Sequence, residues 1–192
     1  MDYPEIVHRN RSYRRFRQEH RFSLQVLHEI VNFARLSGSS GNIQGLKFYL
    51  SNETSRNNLV FGTLRWASYL KNWKGPEEGE RPSAYIIVLG DTALHKTIEV
   101  DVGIAAQSML LGATSMGYGG CMIGSIDRAG LRKKLEIPER FDIPLVLALG
   151  EPIEKIVIDE ISEDGMIEYW RDDSQVHHVP KRSLEELIIH SF

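Results

Sequence analysis

The stretch that most constrains the fold is TIEVDVGIAAQSMLLGATSMG, Thr97 to Gly117. It has the length of a helix and is apolar almost all round. Such a helix has no solvent face, so it is expected to be buried on every side, in a core or against a partner subunit. Two apolar runs flank it. AYIIVLG, Ala84 to Gly90, carries β-branched residues and reads as a strand buried on both faces, and IPLVLALG, Ile143 to Gly150, reads as another. Both runs are well short of the roughly 20 residues that span a bilayer.

The remaining segments alternate between the two periods. Tyr3 to Asn10 forms a short helix with Pro4 in its first turn. Ser23 is an N-cap for a helix with Leu27, Ile30, Val31 and Ala34 on one face, which stops at SGSSG, Ser37 to Gly41. LKFYL, Leu46 to Leu50, reads as a strand, followed by a helix from about Thr54 to Leu70. KGPEEGERP, Lys74 to Pro82, is a loop. After GYGG, CMIGS reads as a strand, and a helix near Arg128 to Leu135 leads into IPLVLALGE. An apolar stretch at Ile156 to Ile161 and a final helix, Ser183 to His190, complete the chain. With 192 residues, 42% of them hydrophobic, there is enough material for one substantial core. The pattern predicts a single layered domain, α/β or α+β.

Cys121 is the one cysteine, so no intramolecular disulfide can form. It follows Gly119-Gly120 in an apolar run and reads as a buried core thiol. The N-terminus is charged where a signal peptide needs an apolar stretch. The expectation is a soluble cytoplasmic protein without membrane association. Neither G-x-G-x-x-G nor a P-loop occurs. His177 and His178 are adjacent, so on a strand they face opposite ways and make a poor metal site. No Ser/His/Asp arrangement is supported by spacing.

The charge is distributed unevenly. Overall it is −3, yet Arg9 to Arg21 holds six arginines against Glu19 alone, leaving that stretch at +5 and the rest at −8. Three readings stand: a solvated basic face, a nucleic-acid contact, or a site for a small phosphorylated ligand. The acidic remainder and the lack of a recognition module count against nucleic acid. Arg11, Ser12 and Arg14 bring two guanidinium forks and a hydroxyl together, which suits phosphate. Ser39, Ser40, Asn42 and Gln44 lie in a glycine-bracketed turn, and the two amides have the donors and acceptors to read a heterocycle edge.

In order and spacing these segments resemble the FMN-dependent nitroreductase family. R-S-x-R-x-F, Arg11 to Phe16, looks like the family's phosphate motif. SSGNIQ, Ser39 to Gln44, looks like its flavin-edge loop. DVGIAAQSMLLGATSMGYGG resembles the central dimer helix and its glycine turn, CMIGS the strand end beside the flavin, LALGEP the strand that closes the domain, and VPKRSLEE a C-terminal match. Three departures stand out. Asn10 replaces an arginine found in many members, Gly38 and Gly45 replace prolines, and Gly124-Ser125 replaces the Glu-Gly of some members.

The resemblance implies an α+β fold, a three-layer α/β/α sandwich on a mixed, mainly antiparallel sheet, in a single domain over residues 1–192. It implies a homodimer, with the segment from about 151 to 192 extending onto the partner. FMN would be held by Arg11, Ser12 and Arg14 at the phosphate and ribityl chain, with Arg14 also near the N1–C2 edge. Lys181 or Arg182 would reach the phosphate from the C-terminal segment. Ser39, Ser40, Asn42 and Gln44 would contact the ring or its tail, some from the second subunit. Ile123, Gly124 and Ser125 would offer main-chain groups near the ring face. The insertions that shape the substrate pocket in the family are small or absent here, and Leu70 to Pro82 is expected to form the pocket rim in their place, with Tyr69 or Trp73 able to stack on a ligand. The implied reaction passes hydride from NADH or NADPH through flavin N5 to a nitroaromatic, quinone or similar acceptor in a ping-pong cycle. No catalytic side chain and no metal is needed. The rival readings are a same-fold flavoprotein of different reaction, such as reductive dehalogenation or flavin breakdown, and a non-enzymatic anion- or nucleic-acid-binding module using Arg9 to Arg21.

Overall fold

The computed structural model describes residues 1–162 and 165–191. Its contacts divide the chain into two compact units. The first joins Met1–Trp66 to Gly75–Ile153, and the second joins Ala67–Lys74 to the segment from Glu154 onward.

In the first unit, α1 (Tyr3–Arg9) starts at Asp2, whose Oδ1 accepts from Glu5 N–H at 2.9 Å. Helix α2 (Leu24–Leu36) starts at Ser23, whose Oγ accepts from Val26 N–H at 3.2 Å. Then come β1 (Leu46–Ser51), α3 (Thr54–Phe61), β2 (Ala84–Asp91), α4 (Glu99–Ser115), β3 (Gly119–Ile123), α5 (Arg128–Leu135) and β4 (Phe141–Gly150). The sheet order is β1-β2-β4-β3, antiparallel at every pairing. Every residue of β2 is buried, as its apolar run requires.

Alternation along β2 sends Ala84, Ile86 and Val88 to one face, where they join Leu147 and Leu149 of β4. Leu27 and Ile30 of α2 and Val102, Ala106, Met109 and Ala113 of α4 close over them. The two helices pack closely because Gly112 has no side chain: a Cβ there would lie 2.1 Å from the Phe33 ring. Helix α3 packs against β2 and α5. Within the chain α4 is covered on one face only, since Val100 is 69% exposed and Ile104 38%. No helix among the described residues is long and apolar enough to cross a membrane.

One expected helix is shorter than its sequence suggests. The segment after Thr54 leaves the helix at Phe61, and Leu64 instead bridges Ile126 in an extended run. Thr63 O and Arg65 N–H bond to Asp127 N–H and Ser125 O, so tertiary pairing overrides local propensity there. Ala67, at φ +36°, then turns the chain away. The final helix is likewise only Leu184–Leu187 (α6).

The second unit holds β5 (Ile156–Glu160), β6 (Trp170–Arg171) and β7 (His177–Lys181), with β7 central, parallel to β5 and antiparallel to β6. Arg171 and Glu154 form a buried ion pair at 2.5 Å. The two histidines face opposite ways as expected. His177 is fully buried, while His178 stacks on Trp170 at 4.1 Å and lies between Asp159 (2.8 Å) and Asp172 (3.4 Å). Burial pulls the His178 pKa down, but hydrogen bonds and charge from the two aspartates outweigh it and the net shift is upward. Asp172 shifts downward, chiefly through the Val176 N–H, against its own desolvation, with His178 adding to the effect.

The signs define a pH window. The raised His178 pKa contributes stability that is complete below about 6.5 and fades as pH rises through the folded value. The lowered Asp172 pKa contributes stability above about 4 that is lost as pH falls through the folded value. Amide exchange at β7, corrected for intrinsic rate, should therefore be slowest between about pH 4 and 6.5 and quicken above it. His178→Asn should flatten the upper limb; an unchanged profile would show that the aspartates do not hold the strand.

Candidate functional site

The fold sorts the arginine cluster. Arg15 forms a two-pronged pair with Glu80 at 2.7 and 2.5 Å. Arg17 pairs with Glu151 at 3.2 Å and Glu19 at 3.7 Å, and Arg9 with Glu5 at 3.8 Å. Arg21 donates to Thr54 Oγ1 at 2.6 Å. The solvated-face reading therefore holds for several of these side chains. Arg14 is 9% exposed and donates to Ser12 O at 3.2 Å. Arg11 donates through Nη2 to Val7 O at 2.7 Å, and its buried Nε has no partner. Burial pushes the Arg11 guanidinium below its usual pKa, with Tyr13 acting in the opposite sense. It remains cationic at neutral pH.

Backbone contacts hold this segment. Ser12 bridges Gly120 in parallel sense, and Tyr13 N–H donates to Gly120 O at 3.0 Å. Gly117, at φ +87°, turns the chain from α4 into β3. A Cβ on Gly119 would lie 2.6 Å from the Tyr13 ring, so glycine is needed for the close approach. Asn10, the departure noted in the sequence, is buried with its Oδ1 3.5 Å from Thr114 Oγ1. Its place is structural, at the C-terminal end of α4.

At the other end of β3, Ile123 is buried while Gly124 and Ser125 are exposed. Gly124 O accepts from Arg128 Nη2 at 3.1 Å and Ser125 O from Arg65 N–H at 3.0 Å. The N–H groups of Gly124 and Ser125 have no acceptor among the described residues. A Cβ on Gly124 would meet nothing, so the backbone there is open to close approach. Four residue steps along the strand separate Gly120 from Gly124, about 14 Å. Cations thus stand at one end of β3 and free amides at the other.

The Ser39–Gln44 turn is placed elsewhere. Ser40 N–H donates at 2.8 Å to Oδ1 of Asp101, which is 2% exposed and whose Oδ2 has no partner. Ser39 Oγ is also buried without a partner. Asn42 and Gln44 both lie at positive φ, +56° and +57°, and Gln44 Nε2 is 3.3 Å from both the carbonyl and Oδ1 of Asn42. Asparagine tolerates that region; glutamine there costs about 1–3 kcal/mol, the kind of strain found at functional turns. Asp101 and Thr114 are 13 residues apart on α4, roughly 20 Å of helix. One chain therefore keeps this turn well away from Arg11.

Four expected site residues belong to the second unit. Lys181 is exposed at the end of β7, and Arg182 is engaged by Glu186. Tyr69 meets Tyr169 edge-on at 4.9 Å, and the Arg171 guanidinium lies 4.4 Å over Trp73. Arg65 was not identified from sequence. The expected helix to Leu70 hid it, and only the pairing beside Ser125 reveals an exposed arginine next to the open turn.

Residues 7–151 match the model of the nitroreductase family. Among solved structures, the chain is similar to a nitroreductase family protein from Streptococcus pneumoniae, at 17% identity, covering 87% of this chain and 99% of that one, with a TM-score of 0.69. It is also similar to a provisionally assigned nitroreductase from Exiguobacterium sibiricum in complex with FMN (19% identity, 80% and 90% covered, TM-score 0.67). A third is provisionally assigned as an NADH dehydrogenase/NAD(P)H nitroreductase from Parabacteroides distasonis (21% identity, 79% and 88% covered, TM-score 0.65). No curated relative matches the chain.

Asp101 is the anchor of the strained turn. Asp101→Ala should accelerate exchange of the Ser40 amide by the loss of about 1–3 kcal/mol of local stability, while Asp101→Asn, which keeps an acceptor, should restore much of it. Equal exchange in all three proteins would mean that the turn is held by other contacts.

Proposed function

The chain belongs to the nitroreductase family, and from that premise we propose that it is an FMN-dependent oxidoreductase acting as a homodimer of three-layer α/β/α sandwiches. The observation that carries the proposal is Arg11, a guanidinium with a buried, unpartnered Nε in a cluster where Arg9, Arg15 and Arg17 are engaged by carboxylates. When bound, FMN supplies hydride chemistry at N5, from NADH or NADPH to a nitroaromatic, quinone or similar acceptor in a ping-pong cycle.

Arg11, Ser12 and Arg14 would bind the phosphate, each charge-assisted bond contributing roughly 1.5–3 kcal/mol. The free N–H groups of Gly124 and Ser125, at the strand end that Ile123 closes, would face the ring about 14 Å along β3 from the arginines, a separation that suits an elongated ligand. Ser39, Ser40, Asn42 and Gln44 come from the second subunit, because α4 holds them roughly 20 Å from the arginines of their own chain. A second copy of α4 covers Val100 and Ile104, which a lone chain leaves exposed. Tyr69 and Trp73 border the acceptor site, with their rings fixed by Tyr169 and Arg171. No general acid or base is required of the chain. Pairing with carboxylates takes up half of the cluster's arginines, Arg9, Arg15 and Arg17, which counts against a continuous basic surface for nucleic acid.

The visible spectrum of the purified protein should show oxidised flavin, with about one FMN released per chain on heating. Arg11→Ala should weaken FMN binding about tenfold or more. Stability of the flavin-free protein should change by less than about 1 kcal/mol, since the side chain donates to a single carbonyl, Val7 O. A protein that stays colourless in excess FMN would overturn the proposal.

A further inference from the structure

On the face of the sheet where α3 packs, a cavity of ≈ 160 Å³ opens between the N-terminal turn of α3 and the entry to β2. Arg21, Thr54, Asn58, Arg81 and Ser83 contribute donors to its wall. Two of these have unmet hydrogen-bonding capacity. Ser83 is 5% exposed and its Oγ has no partner, and the buried Nε of Arg81 has none either. Arg81 is held by Phe61, its guanidinium 4.4 Å over the ring, rather than by a carboxylate. Arg21 is tied to Thr54 Oγ1, a neutral hydroxyl.

The other wall groups leave this positive charge unbalanced. Glu19 is the one carboxylate lining the cavity, and it pairs with Arg17. Gln18 Oε1 is occupied by Gly79 and Arg81 N–H groups, and Asn57 by Ser51 and Ser83 O. The N-terminus of α3 has no side-chain cap, so the positive end of its dipole adds to the same place.

We propose that this cavity is a second oxyanion site that takes a phosphate group through Arg21, Arg81 and Ser83. Guanidinium forks with hydroxyl donors match a tetrahedral anion whose oxygens all accept. The volume is several times the roughly 30 Å³ of a water and below the about 300 Å³ of drug-sized pockets. It holds a phosphate group, not a whole nucleotide. The site is distinct from Arg11, which lies against β3, two strand spacings or about 10 Å across the sheet from β2. It does not depend on the flavin.

Isothermal titration of inorganic phosphate into FMN-saturated protein, its Arg11 site filled, should show binding. Arg21→Ala and Arg81→Ala should each weaken that binding about tenfold or more, with the flavin spectrum unchanged. Arg81→Lys and Ser83→Ala serve if Arg81→Ala does not fold, and each should weaken binding while keeping the fold. Phenyl phosphate binding more tightly than inorganic phosphate would identify the site as one for a phosphomonoester headgroup; equal affinity would identify free phosphate. Absence of binding at millimolar phosphate, or binding that survives in the Arg21→Ala/Arg81→Ala protein, would overturn the proposal. So would binding lost on Arg11→Ala. Protein that takes up no FMN is titrated as it stands, so failure of the flavin proposal and failure of this one read out separately.

Discussion

Helix α4 is apolar almost all round, and only one of its faces finds cover within the chain. That face closes the core over β2 and β4, so the sheet and the helix depend on each other. The same helix sets the positions of the polar elements. Near its start Asp101 holds the Ser39–Gln44 turn, and near its end Thr114 lies beside Asn10 at the head of the arginine segment. The helix thus acts as a spacer as well as a core element. Its remaining face leaves Val100 and Ile104 exposed.

Backbone geometry accounts for much of the local placement. Gly112 admits Phe33, Gly119 admits Tyr13, and Gly124 leaves its strand end open. In each case a missing side chain decides what can approach. The Ser39–Gln44 turn works differently. Asn42 and Gln44 adopt left-handed backbone without the freedom of glycine, and the buried Asp101 helps hold the arrangement in place. Strain kept by one buried carboxylate is the mark of a turn whose shape matters more than its stability.

Electrostatics gives the arginines different fates despite their shared stretch of sequence. Arg15 meets Glu80, 65 positions away, and Arg17 meets Glu151, which lies in a different part of the chain altogether. Pairs that far apart in sequence cannot be read from composition, so the partners of Arg15 and Arg17 within the +5 segment emerge only in the fold. The same applies to Arg81 and Arg21, far apart in sequence, which share a cavity because β2 begins beside the start of α3. His177 and His178 are the opposite case. Strand alternation alone separates them, and the structure places one in the core and one between two aspartates.

Periodicity and apolar content by themselves determined the large elements: the β2 and β4 runs, the long helix between them, the Ser23 cap and the span of α5. These follow from local chemistry, where a side chain's burial or a cap's hydrogen bond is encoded within a few residues. Motif order likewise made the family legible, and with it the candidate residues from Arg11 to Arg182. What only the tertiary structure decided was pairing. The run from Thr54 reads as one helix to Leu70, yet Leu64 and Arg65 leave it to pair with Ile126 and Ser125, which brings Arg65 to the open turn. Which arginine is neutralised, which is left with a free donor, and which polar groups share a cavity were also settled there. Each depends on atoms brought together across the sheet, and Coulombic and hydrogen-bond energies act over distance in space, not along the chain.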